Sequence, residues 1–185
     1  MKTKIFKSVF AIALAALVFS SQTSFAGGDA TGRLSIGANV GLPTGDDAKV
    51  YTLAIGGSAR YELPVGDNLG ITGTVGYNSY LLKSEFSGLG ISLSSIPILA
   101  GAKYYFTENQ NGLYGMVQIG ITMTTAKVEF LGASVSASTS NLTYGPAVGY
   151  HMTNLDFGVG YDILSQTGAS SAIIDLRLAY VLGGK

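Results

Sequence analysis

Along most of the chain, hydrophobic and polar residues alternate one by one. In the segment 31–42, Leu34 and Ile36 belong to one set of alternating positions, whereas Arg33 and Asn39 belong to the other. A β-strand places successive side chains on opposite faces, but a helix would mix these two sets on its surface. The pattern therefore predicts a β-strand with one apolar face and one polar face.

The same period-two pattern recurs in seven further segments. Segments of about 9–14 residues have the length that a tilted strand needs to cross a bilayer. Eight is also an even number, as is usual for bacterial single-chain barrels. We therefore predict an all-β fold, an eight-stranded antiparallel up-and-down transmembrane β-barrel, with strands at 31–42, 50–63, 69–81, 95–106, 113–124, 141–151, 155–163 and 171–182.

The predicted connections alternate in length. Those at 64–68, 107–112 and 152–154 are short, those at 82–94 and 125–140 are long, and those at 43–49 and 164–169 are intermediate. Small outer-membrane barrels have short periplasmic turns and longer extracellular loops. The chain termini are therefore expected in the periplasm. Strand-like alternation continues into both long connections and indicates hairpins that extend beyond the membrane.

Aromatic residues recur near both ends of the predicted strands. Aromatic side chains form girdles at the two membrane interfaces of such barrels. The topology predicts an outward-facing periplasmic girdle of Tyr61, Tyr104, Phe106, Tyr150 and Tyr180. The corresponding girdle at the opposite interface would contain Tyr51, Tyr77, Tyr144 and Tyr161.

Composition supports a membrane barrel over an ordinary soluble domain. Charged residues make up only 12% of the chain, against about 25% in typical soluble domains. The absence of cysteine excludes disulfides and thiolate metal sites. The sequence contains no cluster of Lys and Arg of the kind that binds nucleic acid, so we predict no nucleic-acid partner. We also expect no cofactor. The expected partners are outer-membrane lipid and the outer-membrane assembly machinery.

The first residues have the pattern of a secretory signal peptide. Lys2, Lys4 and Lys7 precede an apolar run, and small residues follow it up to Ala26. The apolar run is too short to span a bilayer of about 30 Å as a helix. We predict cleavage of residues 1–26, a barrel domain at 27–185, and export to the outer membrane of a Gram-negative bacterium.

Several later segments resemble a known family. The stretch SIPILAGAKYYF at 95–106, followed by LYGMVQIGI, is similar to the small, porin-like outer-membrane β-barrel domain family of the OmpX and OmpW types. The segments TYGPAVGY, LDFGVGYDI and DLRLAYVL resemble later strands of that family. The resemblance covers residues 31–182. It implies the barrel fold and says little about function, because one fold serves many functions.

The polar face of the predicted barrel carries most of the charged residues. An eight-stranded barrel has an interior just wide enough for side chains or one small ligand. The interior charges could line a polar pathway or binding site, or form a salt-bridge network that fills the barrel. Because buried charges need partners, we favour a network of Arg33, Arg60, Glu62, Lys103, Asp156, Asp162, Asp175 and Arg177.

His151 is the single histidine and the natural candidate for catalysis. Some outer-membrane enzymes of similar scaffold use a histidine with Ser or Asp partners. No nucleophile or orienting carboxylate stands out beside His151 in the sequence. We expect His151 to lie at the water-exposed periplasmic boundary of the membrane. We also expect that the protein is not an enzyme.

The two long connections carry apolar residues that would be exposed, namely Phe86, Leu89, Phe130 and Leu131. Such residues could bind a partner or pack within their own loops. Our leading hypothesis is a structural, binding or interaction role through the extracellular loops, with an unknown ligand. A narrow channel for small, including hydrophobic, solutes is the alternative, and a lipid-modifying enzyme is the least favoured. A soluble lipocalin-like barrel is the alternative fold.

Overall fold

The structure, a computed structural model, describes residues 32–86, 90–107, 110–130, 133–166 and 169–182. The predicted signal peptide lies outside the described residues and stays a prediction. A one-turn helix, α1 (Asp47–Val50), precedes the second strand, and a 3₁₀ turn (Ser84–Phe86) follows the third. No helix in these ranges is long and apolar enough to cross a membrane. The strands are β1 (Arg33–Thr44), β2 (Tyr51–Pro64), β3 (Leu69–Leu82), β4 (Ile91–Tyr105), β5 (Gly112–Phe130), β6 (Ala133–Met152), β7 (Leu155–Gln166) and β8 (Ala169–Leu182).

The strands close into one barrel in sequence order. Each strand pairs antiparallel with its neighbour along the chain, and β1 also pairs with β8 from Leu34↔Leu182 to Thr44↔Ala172. The predicted fold class is confirmed. Closure satisfies the backbone hydrogen-bonding groups of the wall, which a spanning sheet requires because hydrocarbon offers no partners.

The wall has an apolar outer face and a polar inner face. Ile36, Val117 and Ile119 point outward and are more than half exposed, whereas Thr122 and Thr143 point inward and are buried. An apolar belt around a barrel is stable against lipid but unfavourable against water. This arrangement is that of a membrane barrel and the reverse of a lipocalin-like one.

Three strands extend past a predicted end by four residues or more. β4 begins at Ile91 rather than Ser95, β5 ends at Phe130 rather than Thr124, and β6 begins at Ala133 rather than Asn141. The extra residues of β5 and β6 pair with each other, for example Val128 with Val135. Ser, Thr, Val and Ala side chains in this connection allow the ladder to continue well past the barrel.

Inward-facing glycines allow neighbouring strands to approach each other. A Cβ atom at Gly120 would collide with the carbonyl oxygen of Ile98, and one at Gly145 with that of Tyr161. The absence of a side chain at these positions therefore permits close backbone contact within the wall.

Candidate functional sites in the lumen and beyond the barrel rim

A buried ion-pair network crosses the lumen near the short turns at 65–68, 106–111 and 153–154, here called the short-turn end. The Lys103 ammonium lies at its centre and is 1% exposed. It donates to Asp156 Oδ2 at 2.6 Å and to Glu62 Oε2 at 3.1 Å. Arg33 pairs with the same Glu62 at 2.8 Å. One cation between two carboxylates, with a second cation beside it, balances charges that would be costly to bury singly.

Two tyrosines enclose this network. Tyr105 and Tyr114 are fully buried, with their rings 5.8 Å apart in an edge-to-face arrangement. The Lys103 Nζ lies 3.8 Å from the centroid of the Tyr114 ring, within cation–π range. Tyr105 Oη donates to Glu62 at 2.7 Å, and Tyr114 Oη donates to Asp156 at 3.0 Å. The two tyrosines therefore fill this part of the lumen, and their hydroxyl groups donate hydrogen bonds to Glu62 and Asp156.

Gln110 closes the short-turn end. Its side chain is buried and donates to the carbonyl of Gly66 at 2.7 Å and of Leu69 at 3.2 Å. Arg33 donates to both the side-chain and the backbone oxygen of Gln110. Gln110 has a φ of 50°, in the left-handed region. The turn thus bends inward and links the turn at 65–68 to the lumen network.

His151 lies inside the barrel and not at a wet boundary, which corrects the sequence-based expectation. The residue is 3% exposed, and its Nδ1 is 3.1 Å from Tyr105 Oη. Its β-pairing partner is Asp156. The alternation of β6 dictates this placement, because Asn141, Thr143 and His151 share the inward-facing set. The imidazole is therefore packed against the polar side chains of the lumen network.

Two arginines continue the network toward the middle of the lumen. Arg177 donates to Ser58 Oγ at 2.9 Å and to Ser35 Oγ at 3.0 Å, and its nearest carboxylate oxygen is that of Asp156 at 3.5 Å. Arg60 donates from Nε to Thr74 Oγ1 at 2.9 Å. Hydroxyl groups rather than carboxylates are therefore the main partners of these guanidinium groups.

The remaining two predicted lumen residues form no ion pair among the described residues. Asp162 accepts from Gln118 Nε2 at 2.7 Å, and Asp175 accepts from Asn39 Nδ2 at 2.9 Å. Both carboxylates line a cavity of about 50 Å³, which is large enough for a few water molecules. The eight predicted lumen residues thus divide into a dense network at the short-turn end and a smaller polar region around the cavity, nearer the long hairpins.

The predicted aromatic girdles lie mostly on the outer surface. At the short-turn end, Tyr104, Phe106, Tyr150 and Tyr180 are all at least half exposed, and Tyr61 is half-buried. The opposite ring has Tyr77, Tyr144 and Tyr161 with exposed fractions between 40% and 54%.

Tyr51 departs from the predicted girdle. A bulge between Tyr51 and Leu53 interrupts the register, so that Tyr51 pairs with Leu82 on the inward-facing side. Its ring meets that of Tyr80 edge to face at 5.6 Å, and Tyr80 lines the lumen cavity. A one-residue irregularity reverses the facing of a strand end, and the alternation alone could not reveal it.

A three-stranded sheet, here called the projecting sheet, extends past the barrel rim. It consists of residues 91–94 of β4, 125–130 of β5 and 133–141 of β6. β6 pairs with β7 only as far as Leu142↔Ser165, whereas it pairs with β5 as far as Phe130↔Ala133. Within the part of the chain that the structure describes, nine residues of β6 therefore have a pairing partner on one side only.

The projecting sheet reverses the polarity of the barrel wall. Its lumen-side face carries two apolar rows, Ile91–Val128–Val135 and Leu93–Ala126–Ala137. Its other face carries Ser, Thr, Lys127 and Glu129, the last two joined as an ion pair. The outer face is polar here because it leaves the lipid and meets water. Val135 on the apolar face is 73% exposed.

The predicted loop residues are described only in part. The backbones of Phe86 and Phe130 end the 3₁₀ turn and β5, respectively. Their side chains, and all of Leu89 and Leu131, lie outside the described residues.

Sequence reasoning missed three residues of the lumen network, namely Tyr105, Tyr114 and Gln110. The signal for the tyrosines was present, because Tyr105 shares the inward set with Lys103 and Tyr114 shares it with Gln118. Gln110 had no such signal, since it belongs to a turn whose inward bend depends on contacts with the turn at 65–68 and with Arg33 of β1.

Comparisons with known proteins agree with this architecture. The family model described as outer membrane protein beta-barrel domain matches residues 11–174. No curated protein matches the sequence significantly. Ail, the attachment invasion locus protein of Yersinia pestis, is similar with a TM-score of 0.63 and 18% identity over 84% of this chain and 100% of Ail.

Two further crystal structures have the same fold. The N-terminal β-barrel domain of Pseudomonas aeruginosa OprF has a TM-score of 0.57 and 14% identity, covering 83% of this chain and 100% of that domain. Neisserial surface protein A has a TM-score of 0.51 and 18% identity, covering 84% of this chain and 99% of its own. The closed eight-stranded barrel and the match over most of its length show that this chain belongs to the outer membrane protein β-barrel domain family.

Proposed function

We propose that this protein is a non-enzymatic outer-membrane barrel that binds a partner at the cell surface through its projecting sheet. The observation that carries the proposal is the length of β6 beyond the wall. No described residue pairs with residues 133–141 on the β7 side, and residues 133–140 are all exposed. Unpaired strand edges are recognised readily by other chains, and natural proteins usually protect them. An edge of this length is better explained by binding than by barrel stability.

The lumen network argues against the alternative of a solute channel. Lys103, Tyr105 and Tyr114 are fully buried and bond to carboxylates across the barrel. A solute would have to break several charge-assisted hydrogen bonds to pass. The cavity beyond the network has a volume of about 50 Å³, room for a few water molecules.

The surroundings of His151 argue against an enzyme. Its nearest side-chain partner is Tyr105, whose hydroxyl proton is engaged by Glu62 at 2.7 Å. All three groups are buried inside the wall. A catalytic histidine needs a substrate within about 3 Å, and this cluster is instead packed as part of the lumen network. Lipid around the outer face and the assembly machinery remain the expected general partners.

The surface position of the projecting sheet can be tested by cysteine labelling, because the chain has no native cysteine. Ser136→Cys lies on the projecting sheet, and Asp67→Cys lies in an exposed short turn at the other end. A polyethylene-glycol maleimide too large to cross the outer membrane should label Ser136→Cys on intact cells. It should label Asp67→Cys only after permeabilisation. Labelling of Asp67→Cys alone on intact cells would invert the orientation and refute the proposed function.

A further inference from the structure

The free edge of β6 has a composition that does not prevent pairing. Residues 133–140 read ASVSASTS, with no charge and no proline. Protected edges usually carry Lys, Pro or a bulge that stops another strand from adding. β5 and β6 pair without a register shift from Gly112↔His151 to Phe130↔Ala133, so this edge is regular. It can therefore accept a strand along its whole length.

The edge also fixes what kind of strand fits. Ala133, Val135 and Ala137 continue the apolar face of the projecting sheet, followed on that face by the polar Thr139. The even-numbered residues are serines on the polar face. An added strand matches both faces only if it alternates small apolar and small polar residues. β6 itself has this alternation, so the edge is complementary to a second copy of itself.

We propose that two copies of this protein associate through antiparallel pairing of their β6 edges. This inference rests on the proposed function and names the partner. A twofold axis at Ser136 pairs Ser136 with Ser136 of the second copy. The same axis pairs Ser134 with Ser138, Val135 with Ala137 and Ala133 with Thr139. Opposed residues in an antiparallel ladder point to the same face, so both apolar faces lie on one side of a continuous six-stranded sheet.

The symmetry decides how the two barrels are placed. Antiparallel pairing points the second barrel in the opposite direction, so the copies belong to two facing membranes. Side-by-side copies in one membrane would pair in parallel about an axis along the strands. That axis would turn the apolar face of one copy next to the serine face of the other. The face match therefore favours contact between membranes, with the paired segment about 20 Å long at roughly 3.4 Å per residue.

Disulfide trapping tests the register. In the proposed pair, Cα atoms at position 136 are about 4.5–5.5 Å apart, within the range that a disulfide needs. Ser136→Cys should form a covalent dimer under mild oxidation. Ser134→Cys and Ser138→Cys should each stay monomeric alone but form a mixed dimer when combined. Dimers of all three single variants with equal yield would overturn the register and indicate random collision.

Vesicle tethering tests the arrangement. Two populations of phosphatidylcholine vesicles, one fluorescent and both carrying the protein, should co-sediment. Ala137→Lys should abolish co-sedimentation because it places a charge in the apolar row of the pair. Ser92→Lys is the matched control: it adds the same charge to the exposed polar face of β4 and should leave tethering unchanged. Heat-modifiable gel migration reports folding of both variants.

The outcomes separate this inference from the proposed function. If Ser136→Cys is labelled on intact cells but neither cross-links nor tethers vesicles, self-association is wrong and surface binding survives. If Ser136→Cys is neither labelled nor cross-linked on intact cells, the proposed function itself fails. A monomer that instead cross-links to a cysteine-bearing synthetic peptide of alternating Ala and Ser assigns the edge to a foreign strand and overturns the second copy as its occupant.

Discussion

At the scale of single residues, the facing of each side chain decides what a substitution costs. Ile119 and Gln118 are neighbours in β5, yet Ile119 is 56% exposed on the outer face and Gln118 bonds to Asp162 inside. The two positions therefore have different surroundings, lipid around Ile119 and a polar cavity around Gln118.

We predict that Ile119→Arg destabilises the barrel by about 2–4 kcal/mol, the usual cost of a cation near the bilayer midplane. Gln118→Arg should cost less, because its guanidinium would lie beside Asp162. Refolding into lipid vesicles, followed by denaturant titration and heat-modifiable gel migration, measures both. A larger loss for Gln118→Arg than for Ile119→Arg would contradict the inside-out assignment.

Lys103 offers a second residue-scale prediction. Lys103→Met leaves Glu62 without its lysine partner and takes from Asp156 its closest cation. Removing one partner of a buried ion pair typically costs about 3–5 kcal/mol, and we expect a loss of this size in the same titration.

The control for Lys103 is Lys49→Met. Lys49 donates to Asp46 at 2.7 Å in an exposed loop, and this contact holds the pKa of Asp46 below its usual value. Solvent screens such a pair, so the unfolding free energy should not change measurably. Equal losses for the two variants would mean that the lumen network adds no stability of its own.

At the scale of strands, the distance between neighbouring backbones decides whether the barrel wall tolerates a larger side chain at a glycine position. Gly120 faces inward, where a Cβ would lie 2.8 Å from Leu99 Cα, whereas Gly73 has nothing within 4 Å of its Cβ position. The same glycine-to-alanine substitution should therefore lower the stability of the barrel at Gly120 but not at Gly73.

We predict that Gly120→Ala destabilises the barrel by about 1–3 kcal/mol through overpacking. Gly73→Ala should be neutral or slightly stabilising, because glycine in a strand carries an entropic cost. Denaturant midpoints of the two refolded variants provide the comparison. Tolerance of alanine at Gly120 would show that the strands can separate there without loss.

At the scale of the whole molecule, buried side chains cross the lumen, while the rim carries a sheet edge that no described strand pairs with. We predict no discrete conductance steps for the refolded protein in planar bilayers at any salt concentration. A porin measured in the same chamber is the positive control. Reproducible single-channel steps that disappear when the protein is heat-denatured would support the channel instead.

The sequence by itself determined the strand number, the facing of most side chains and the polar lumen. These follow from period-two alternation, which is a local property of each strand and is read from neighbouring residues alone. It also placed Lys103 and Asp156 in the same interior. The extension of β5 and β6 was indicated by their alternation, but not its length.

Only the tertiary structure decided which charges meet, where the lumen closes and which edge stays free. Lys103 reaches Glu62 and Asp156 across strands that are far apart in sequence, and the bulge at Tyr51 reverses one side chain without a compositional signal. The free edge of β6 exists because β7 ends earlier than β5, a difference between neighbours in space. Such features depend on register and on contacts around the closed barrel, which no single strand contains.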